Sequence, residues 1–290
     1  RKLAMPPSTS VRLHRLDPDR VLVELKPRPG ESFLRTEDIV DTITRERNEL
    51  AVVLLGGVQY YTGQFFDISR ITKTTHDAGA LAGFDLAHAI GNVPLNLHND
   101  DVDFAVWCSY KYLNSGPGGI AGAFVHERFS RRPDLHRLAG WWGHNEQERF
   151  KMKKGFSPMS GVDGWQVSNH PVFQGAAHLA SLEIFEKAGM KQLRQKSVRL
   201  TSYLEFVLKE ADNEGNHFRI LTPSDPLQRG CQLSLFMKKN GRNVFNKLTS
   251  NGVVADWREP DVIRVAPVPL YNTFEEVFRF GQIFENAIHS

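Results

Sequence analysis

The sequence predicts an α/β protein: a mostly parallel sheet flanked by helices, followed by a small C-terminal α+β domain. Two observations predict it. Between residues 36 and 126, short apolar runs alternate with helix-like stretches, the pattern of βαβ units. Beyond residue 215, four short strand-like runs and two helix patterns crowd into the last quarter of the chain, too many strands too close together for parallel crossovers.

Each element has its own reason. The first forty residues are broken by Pro6, Pro7, Pro18, Pro27, Pro29 and Gly30, with VLVELK as the one strand-like run among them. From Thr36 a helix is expected, with Thr36 as cap, Glu37 and Asp38 at its positive end, and Ile39, Val40 and Ile43 on one face. AVVLL (51–55), ending at Gly56 and Gly57, reads as a buried parallel strand. Residues 67–79 read as a helix capped by Asp67 and stopped at Gly79. LAGFD (81–85), VDFAVWC (102–108) and GIAGAFVH (119–126) read as strands.

Residues 127–170 are irregular, and 171–189 and 190–211 read as helices. Then come strands at 218–221 and 231–236, a helix at 242–251, strands at 253–257 and 262–266, and a helix at 273–288. The expected division is a large domain over 1–170, a bridging helix over 171–189 and a small domain over 190–290.

Bulk properties narrow the function classes. The 290 residues carry 36 basic and 33 acidic side chains, a near-balance that gives no argument for nucleic acid or an anionic membrane. No apolar run approaches the roughly 18 residues of a membrane span, and the first residues lack a signal-peptide pattern. Cys108 and Cys231 sit in apolar runs without CxxC or Cys/His metal spacing. A cytoplasmic protein with buried thiols and no metal is the expectation.

The densest polar constellation is GFDLAHAIGN (83–92) followed by CSYKYLNSGPGG (108–119). Asp85 ends one apolar strand and Lys111 lies just beyond the next, so both should project from one edge of a parallel sheet. A carboxylate and an amine so placed suit pyridoxal 5'-phosphate, which needs a lysine to form an imine and an acid beside its pyridine nitrogen. Taken singly, Asp85 could be a turn residue and Lys111 a solvated loop lysine, and spacing alone does not choose. Arg264, inside the apolar run IRVAPV, needs an anion if its face is buried.

FDLAHAIGN, VDFAVWCSYKYLNSGPGGIAGAFVHE, GWWGH and IRVAPVPLYN together resemble the kynureninases, members of the fold-type I pyridoxal-phosphate enzymes. The resemblance runs from about residue 35 to the C-terminus. It implies hydrolysis of L-kynurenine or its 3-hydroxy derivative to L-alanine and the corresponding anthranilate, in tryptophan catabolism and NAD biosynthesis. It implies that Lys111 forms the imine and moves protons, that Asp85 pairs with the pyridinium, and that His88 lines the cofactor. It gives Tyr110 a phosphate contact and an acid–base role. Trp141 and Asn169 would reach cofactor or substrate across the interface of a homodimer with shared active sites, and Arg264 would clamp the substrate carboxylate.

Two departures accompany the resemblance. Gly56 stands where the family usually has a phosphate-binding serine, so only its backbone N–H remains as a donor. The family's phosphate cup and ring-stacking aromatic come from an earlier segment with no counterpart in this sequence, so an N-terminal part is expected to be missing. Two other readings stay open. One is a different fold-type I activity, a desulfurase or aminotransferase. The other is a non-catalytic fragment that acts through dimerisation.

Overall fold

The computed structural model describes residues 6–132 and 134–290; residues 1–5, where the expected large domain begins, lie outside the described residues. Helices α1 (Pro6–Leu13) and α2 (Pro18–Val21) lead into α3 (Thr36–Glu46), β1 (Val52–Gly56), α4 (Ile68–Asp77), β2 (Leu81–Asp85), β3 (Phe104–Cys108) and β4 (Ala121–Val125). Helices α5 (Val172–Ala188) and α6 (Met190–Ala211) follow. The chain closes with β5 (Phe218–Ile220), β6 (Leu233–Met237), α7 (Gly241–Ser250), β7 (Asp256–Arg258), β8 (Val262–Val265) and α8 (Phe274–Ile288).

The first sheet has the order β1-β2-β3-β4. β1, β2 and β3 run parallel, and β4 returns antiparallel to β3. One face of this sheet is a core: Val53, Ala82, Phe84 and Ala105 pack with Ile39, Ile43 and Ile71 of α3 and α4. Burying a side chain such as Phe84 is worth about 1.5–3 kcal/mol. The opposite face is open, with Val52, Leu54, Leu81 and Val106 all more than two-fifths exposed.

The second sheet is antiparallel with the order β5-β6-β8-β7. Leu233, Leu235 and Ile263 pack against Leu200, Leu204 and Leu208 of α6 and Phe284 of α8. Thr273 and Glu276 form a reciprocal capping box that starts α8.

A small third cluster, Leu113, Phe185 and Leu193, ties the loop after β3 to α5 and α6. Ser181 of α5 donates its hydroxyl to the Leu113 carbonyl. The loop carrying Lys111 is therefore anchored from behind.

Three sequence expectations need correction. Residues 21–26 are not a strand; Val21 and Val23 are exposed and lie between two prolines, with no neighbouring strand to complete a ladder. Thr36 is the first helical residue of α3 and not its cap; Arg35 holds the cap position with no side-chain hydrogen bond. The strands expected at 102–108 and 119–126 are shorter, Phe104–Cys108 and Ala121–Val125. Asp67 does cap α4, accepting from Arg70 N–H, and Gly79 takes φ +77° just beyond it.

Candidate active site

Asp85 is the last residue of β2, paired in register with Gly56 on one side and Val106 on the other. Its Oδ1 accepts the Ala87 N–H at 2.9 Å, a short turn that holds the carboxylate at the carboxyl edge of the sheet. Lys111 lies three residues past Cys108, the end of the adjacent parallel strand. Both side chains therefore leave the sheet at the same edge, where open α/β sheets place ligands.

Backbone geometry at Gly91 sets the depth of that edge. Gly91 has φ +74°, and a Cβ there would sit 2.8 Å from the Tyr112 carbonyl oxygen. Only glycine lets the 86–92 turn approach the Lys111 loop so closely. His88, on this turn, has its ring 6.0 Å from that of Tyr112 and 6.2 Å from that of Tyr60.

Charge is concentrated here. Burial, reinforced by Lys111, Arg264 and Arg258, pulls the His88 pKa down to about 3. The imidazole is neutral at physiological pH, and its Nδ1 is buried without a hydrogen-bond partner. Burial also pushes the Tyr112 phenol well above its ordinary range, with the Cys231 thiol adding to the effect and Arg264 opposing it. Cys231 itself is buried and its thiol is pushed up to about 12 by burial. Tyr110 is half exposed, with Lys111 Nζ 5.7 Å from its ring centre. A hydrogen bond with Cys108 and that thiol's charge raise the Tyr110 phenol.

Arg264 arrives from the second sheet. Its Nη1 donates to the Tyr60 carbonyl at 2.6 Å and its Nη2 to Asp256 Oδ2. Burial lowers its pKa, and the Tyr112 and Tyr60 phenols oppose that. The loop after β1 is pinned to β6 by further bonds: Gln232 Nε2 donates to the Tyr60 carbonyl at 3.1 Å and Ser234 Oγ to the Tyr61 carbonyl at 2.6 Å. Cys231 N–H donates to Asn92 Oδ1 at 3.0 Å, joining the same sheet to the end of the His88 turn.

Asp85, His88, Tyr110, Lys111, Gly56 and Arg264 are thus gathered around one strand-end region. Trp141 and Asn169 are not. Trp141 is 49% exposed and packs edge-on against Phe150. Asn169 is exposed and accepts from the Ser168 hydroxyl. Their segment is folded on itself: Gly140 lies so close to the 166–167 backbone that a Cβ would meet Val167 Cα at 2.3 Å. The anion expected at Arg264 is supplied within the chain by Asp256. That partner, with Tyr60 and Arg258, has no signal in the sequence; Asp256 meets Arg264 only through an antiparallel pairing, which leaves no local motif.

Five of these residues, Gly56, Asp85, His88, Tyr110 and Lys111, fit pyridoxal 5'-phosphate. A carboxylate and an amine share one sheet edge, beside an unpartnered imidazole nitrogen that a bound polar group would satisfy.

The fold has counterparts among known proteins. The fold resembles that of the apo cysteine desulfurase of Thermococcus onnurineus NA1, with a TM-score of 0.74 at 18% identity over 97% of this chain and 70% of that one. It also resembles a "C-DES" mutant with glycine covalently linked to its PLP cofactor, with a TM-score of 0.70 at 19% identity over 84% of this chain and 63% of that one. The architecture is similar to the PLP-dependent transferase fold.

The family follows from sequence. A family profile described as the kynureninase C-terminal domain matches residues 193–284. The kynureninase of Flavobacterium psychrophilum is 53% identical over 281 residues, 97% of this chain and 66% of that protein. The kynureninase of Christiangramia forsetii is 49% identical over 98% of this chain and 67% of that protein. That of Nematostella vectensis is 50% identical over 96% of this chain and 62% of that protein. The chain belongs to the kynureninase family and spans about two thirds of the length of these relatives.

Proposed function

We propose that the protein is a pyridoxal-phosphate-dependent hydrolase that cleaves the Cβ–Cγ bond of L-kynurenine or 3-hydroxy-L-kynurenine, releasing L-alanine and anthranilate or 3-hydroxyanthranilate. The single observation that carries this is the shared edge of Asp85 and Lys111, at the ends of adjacent parallel strands, with Arg264 reaching the same region from the second sheet.

Bound pyridoxal 5'-phosphate supplies an electrophilic aldehyde and an electron-withdrawing ring. Asp85 keeps a proton on the ring nitrogen, holding the electron sink in its stronger form. Lys111 would hold the cofactor and move the proton at Cα; water adding to the γ-carbonyl would let the aroyl group leave as the anthranilate carboxylate, with Cβ of the retained alanyl fragment taking up a proton. Arg264 fixes the substrate carboxylate, so the reacting carbons are oriented before chemistry begins. Neutral His88 lines the ring without adding a charge that would compete with Asp85. The Gly56 N–H and the Tyr110 hydroxyl would donate to the cofactor phosphate.

Trp141 and Asn169 serve the site of a second copy in a homodimer with shared active sites. Support comes from the apolar surface of their region, where Phe150, Met152 and Phe173 are each at least three-quarters exposed. The proposed division into a large domain (1–170), bridging helix (171–189) and small domain (190–290) follows the change from the parallel to the antiparallel sheet. Among the described residues no helix is long and apolar enough to cross a membrane. The proposed setting is the cytoplasm, which suits two unpaired cysteines.

The open face of the first sheet favours a second reading, a non-catalytic fragment that acts only through dimerisation. One experiment separates the two. Purified protein mixed with pyridoxal 5'-phosphate should develop a visible absorbance band that Lys111→Ala abolishes. A chain that never develops the band at millimolar cofactor supports the second reading and removes the first.

A further inference from the structure

Asp256 and Arg264 face each other directly across the antiparallel β7–β8 pair. Arg258, two residues along β7, falls on the same side of its strand as Asp256. One oxygen of Asp256, Oδ2, accepts from Arg264 Nη2 and also forms an ion pair with Arg258 Nη2, 3.1 Å away. The opposite end of the Arg264 fork is held by the Tyr60 carbonyl, and Arg264 Nε is buried with no partner at all.

Two guanidiniums share one carboxylate, so the cluster keeps a net positive charge. It keeps it beside His88, which is neutral, and Lys111, which is not an acid. A buried Nε–H next to an uncompensated charge is a vacancy for an anion.

We infer that Asp256 is a positioning residue for carboxylate recognition: it clamps Arg264 Nη2 while Arg258 draws off part of its own charge, leaving Arg264 Nε–H and the residual positive charge for the carboxylate of an α-amino acid. This rests on the reading of Arg264 as the substrate-carboxylate group. It goes further by naming what holds that group and why a carboxylate already bound to Arg264 does not silence it. A single acid on a single arginine would neutralise the site. An acid divided between Arg258 and Arg264 fixes geometry without doing so. Without the clamp, the long side chain would explore several rotamers and lose that freedom each time an amino acid bound.

The test uses the whole chain and L-alanine as probe, followed by the Arg264 Nε–H resonance, which Arg264→Lys assigns by its disappearance. In the unsubstituted protein that resonance should be sharp and should shift as L-alanine is added. Asp256→Asn should broaden it and raise the L-alanine Kd at least tenfold, Arg258→Gln should raise it two- to fivefold, and Asp256→Glu should recover most of the affinity. Where the cofactor band forms, Asp256→Asn should raise KM for kynurenine tenfold or more while kcat stays within about threefold. An Asp256→Asn protein that binds L-alanine as tightly as the parent, or more tightly, overturns the inference. So does an Arg264 resonance indifferent to L-alanine. Absence of the cofactor band counts against the hydrolase reading alone, because the resonance reports the clamp without cofactor.

Discussion

Arg264 on β8 donates Nη1 to the backbone carbonyl of Tyr60 at 2.6 Å, so the residue proposed to recognise substrate also fastens the second sheet to the loop that follows β1. Replacing it by alanine should therefore act twice. Loss of a charge-assisted contact to the substrate carboxylate is worth about 1.5–3 kcal/mol. KM for kynurenine should rise roughly 10- to 100-fold, with the cofactor absorbance band intact. Steady-state kinetics and a spectrum of the same sample check both parts. Unchanged KM would remove Arg264 from the site.

His88 makes stability depend on pH below neutrality. Its folded pKa is about 3, against about 6.5 when unfolded. Between those values the unfolded chain binds a proton that the folded one refuses, so stability falls as pH falls from 6.5 toward 3. The slope is at most about 1.4 kcal/mol per pH unit. His88→Gln should flatten this part of the profile, leaving the parent as much as about 2 kcal/mol worse off relative to the variant at pH 5 than at pH 7. Urea denaturation at the two pH values measures it, and parallel losses in both proteins would contradict the assignment.

Gly56 stands where the resemblance leads one to expect a serine, and the backbone does not demand glycine there. A Cβ there would meet Val58 O at 3.5 Å and Asp85 O at 3.9 Å, ordinary contacts in a strand-end conformation open to any residue. Gly56→Ser should fold with a stability change within about 0.5 kcal/mol. It should also tighten pyridoxal 5'-phosphate binding about tenfold, the worth of one added hydrogen bond to an anion. A cofactor titration decides; unaltered affinity would mean that the phosphate lies elsewhere.

Where local chemistry alone makes an element, the sequence was legible. The run LAGFD became β2 with its stated ends, and Asp67 capped α4, because apolar patterning and a capping carboxylate act over a few residues. Asp85 and Lys111 reached one edge because consecutive parallel strands place their carboxyl ends side by side. Elsewhere the outcome depended on distant partners. VLVELK has strand-forming residues but no neighbour to pair with. Tyr60 matters through its carbonyl, which no side-chain motif reveals, and Asp256 meets Arg264 only through the register of β7 on β8.

The far end of the first sheet makes the last prediction. Asp103 precedes β3, is 1% exposed, and accepts from Ala82 N–H at 2.6 Å, from His76 at 2.8 Å and from the Nε and Nη2 of Arg128. Burial alone would raise its pKa, but the Arg128 hydrogen bonds, the Ala82 N–H and His76 together outweigh that and hold it below the usual carboxylate range. A carboxylate depressed in the folded state contributes stability that is fully present above its unfolded pKa of about 3.9 and disappears as pH falls through the lower folded value. Asp103→Asn keeps the shape but removes the charge that pairs with Arg128 and turns an amide donor on either Arg128 or the Ala82 N–H. It should cost about 3–5 kcal/mol at pH 7, persist at pH 4, and shrink only in stronger acid, where the parent carboxylate is itself protonated. Denaturant titrations at pH 7, 4 and 2.5 would show this order. A deficit already gone at pH 4 would mean that Asp103 titrates as an ordinary solvated acid and that the strand-end network does not hold its charge.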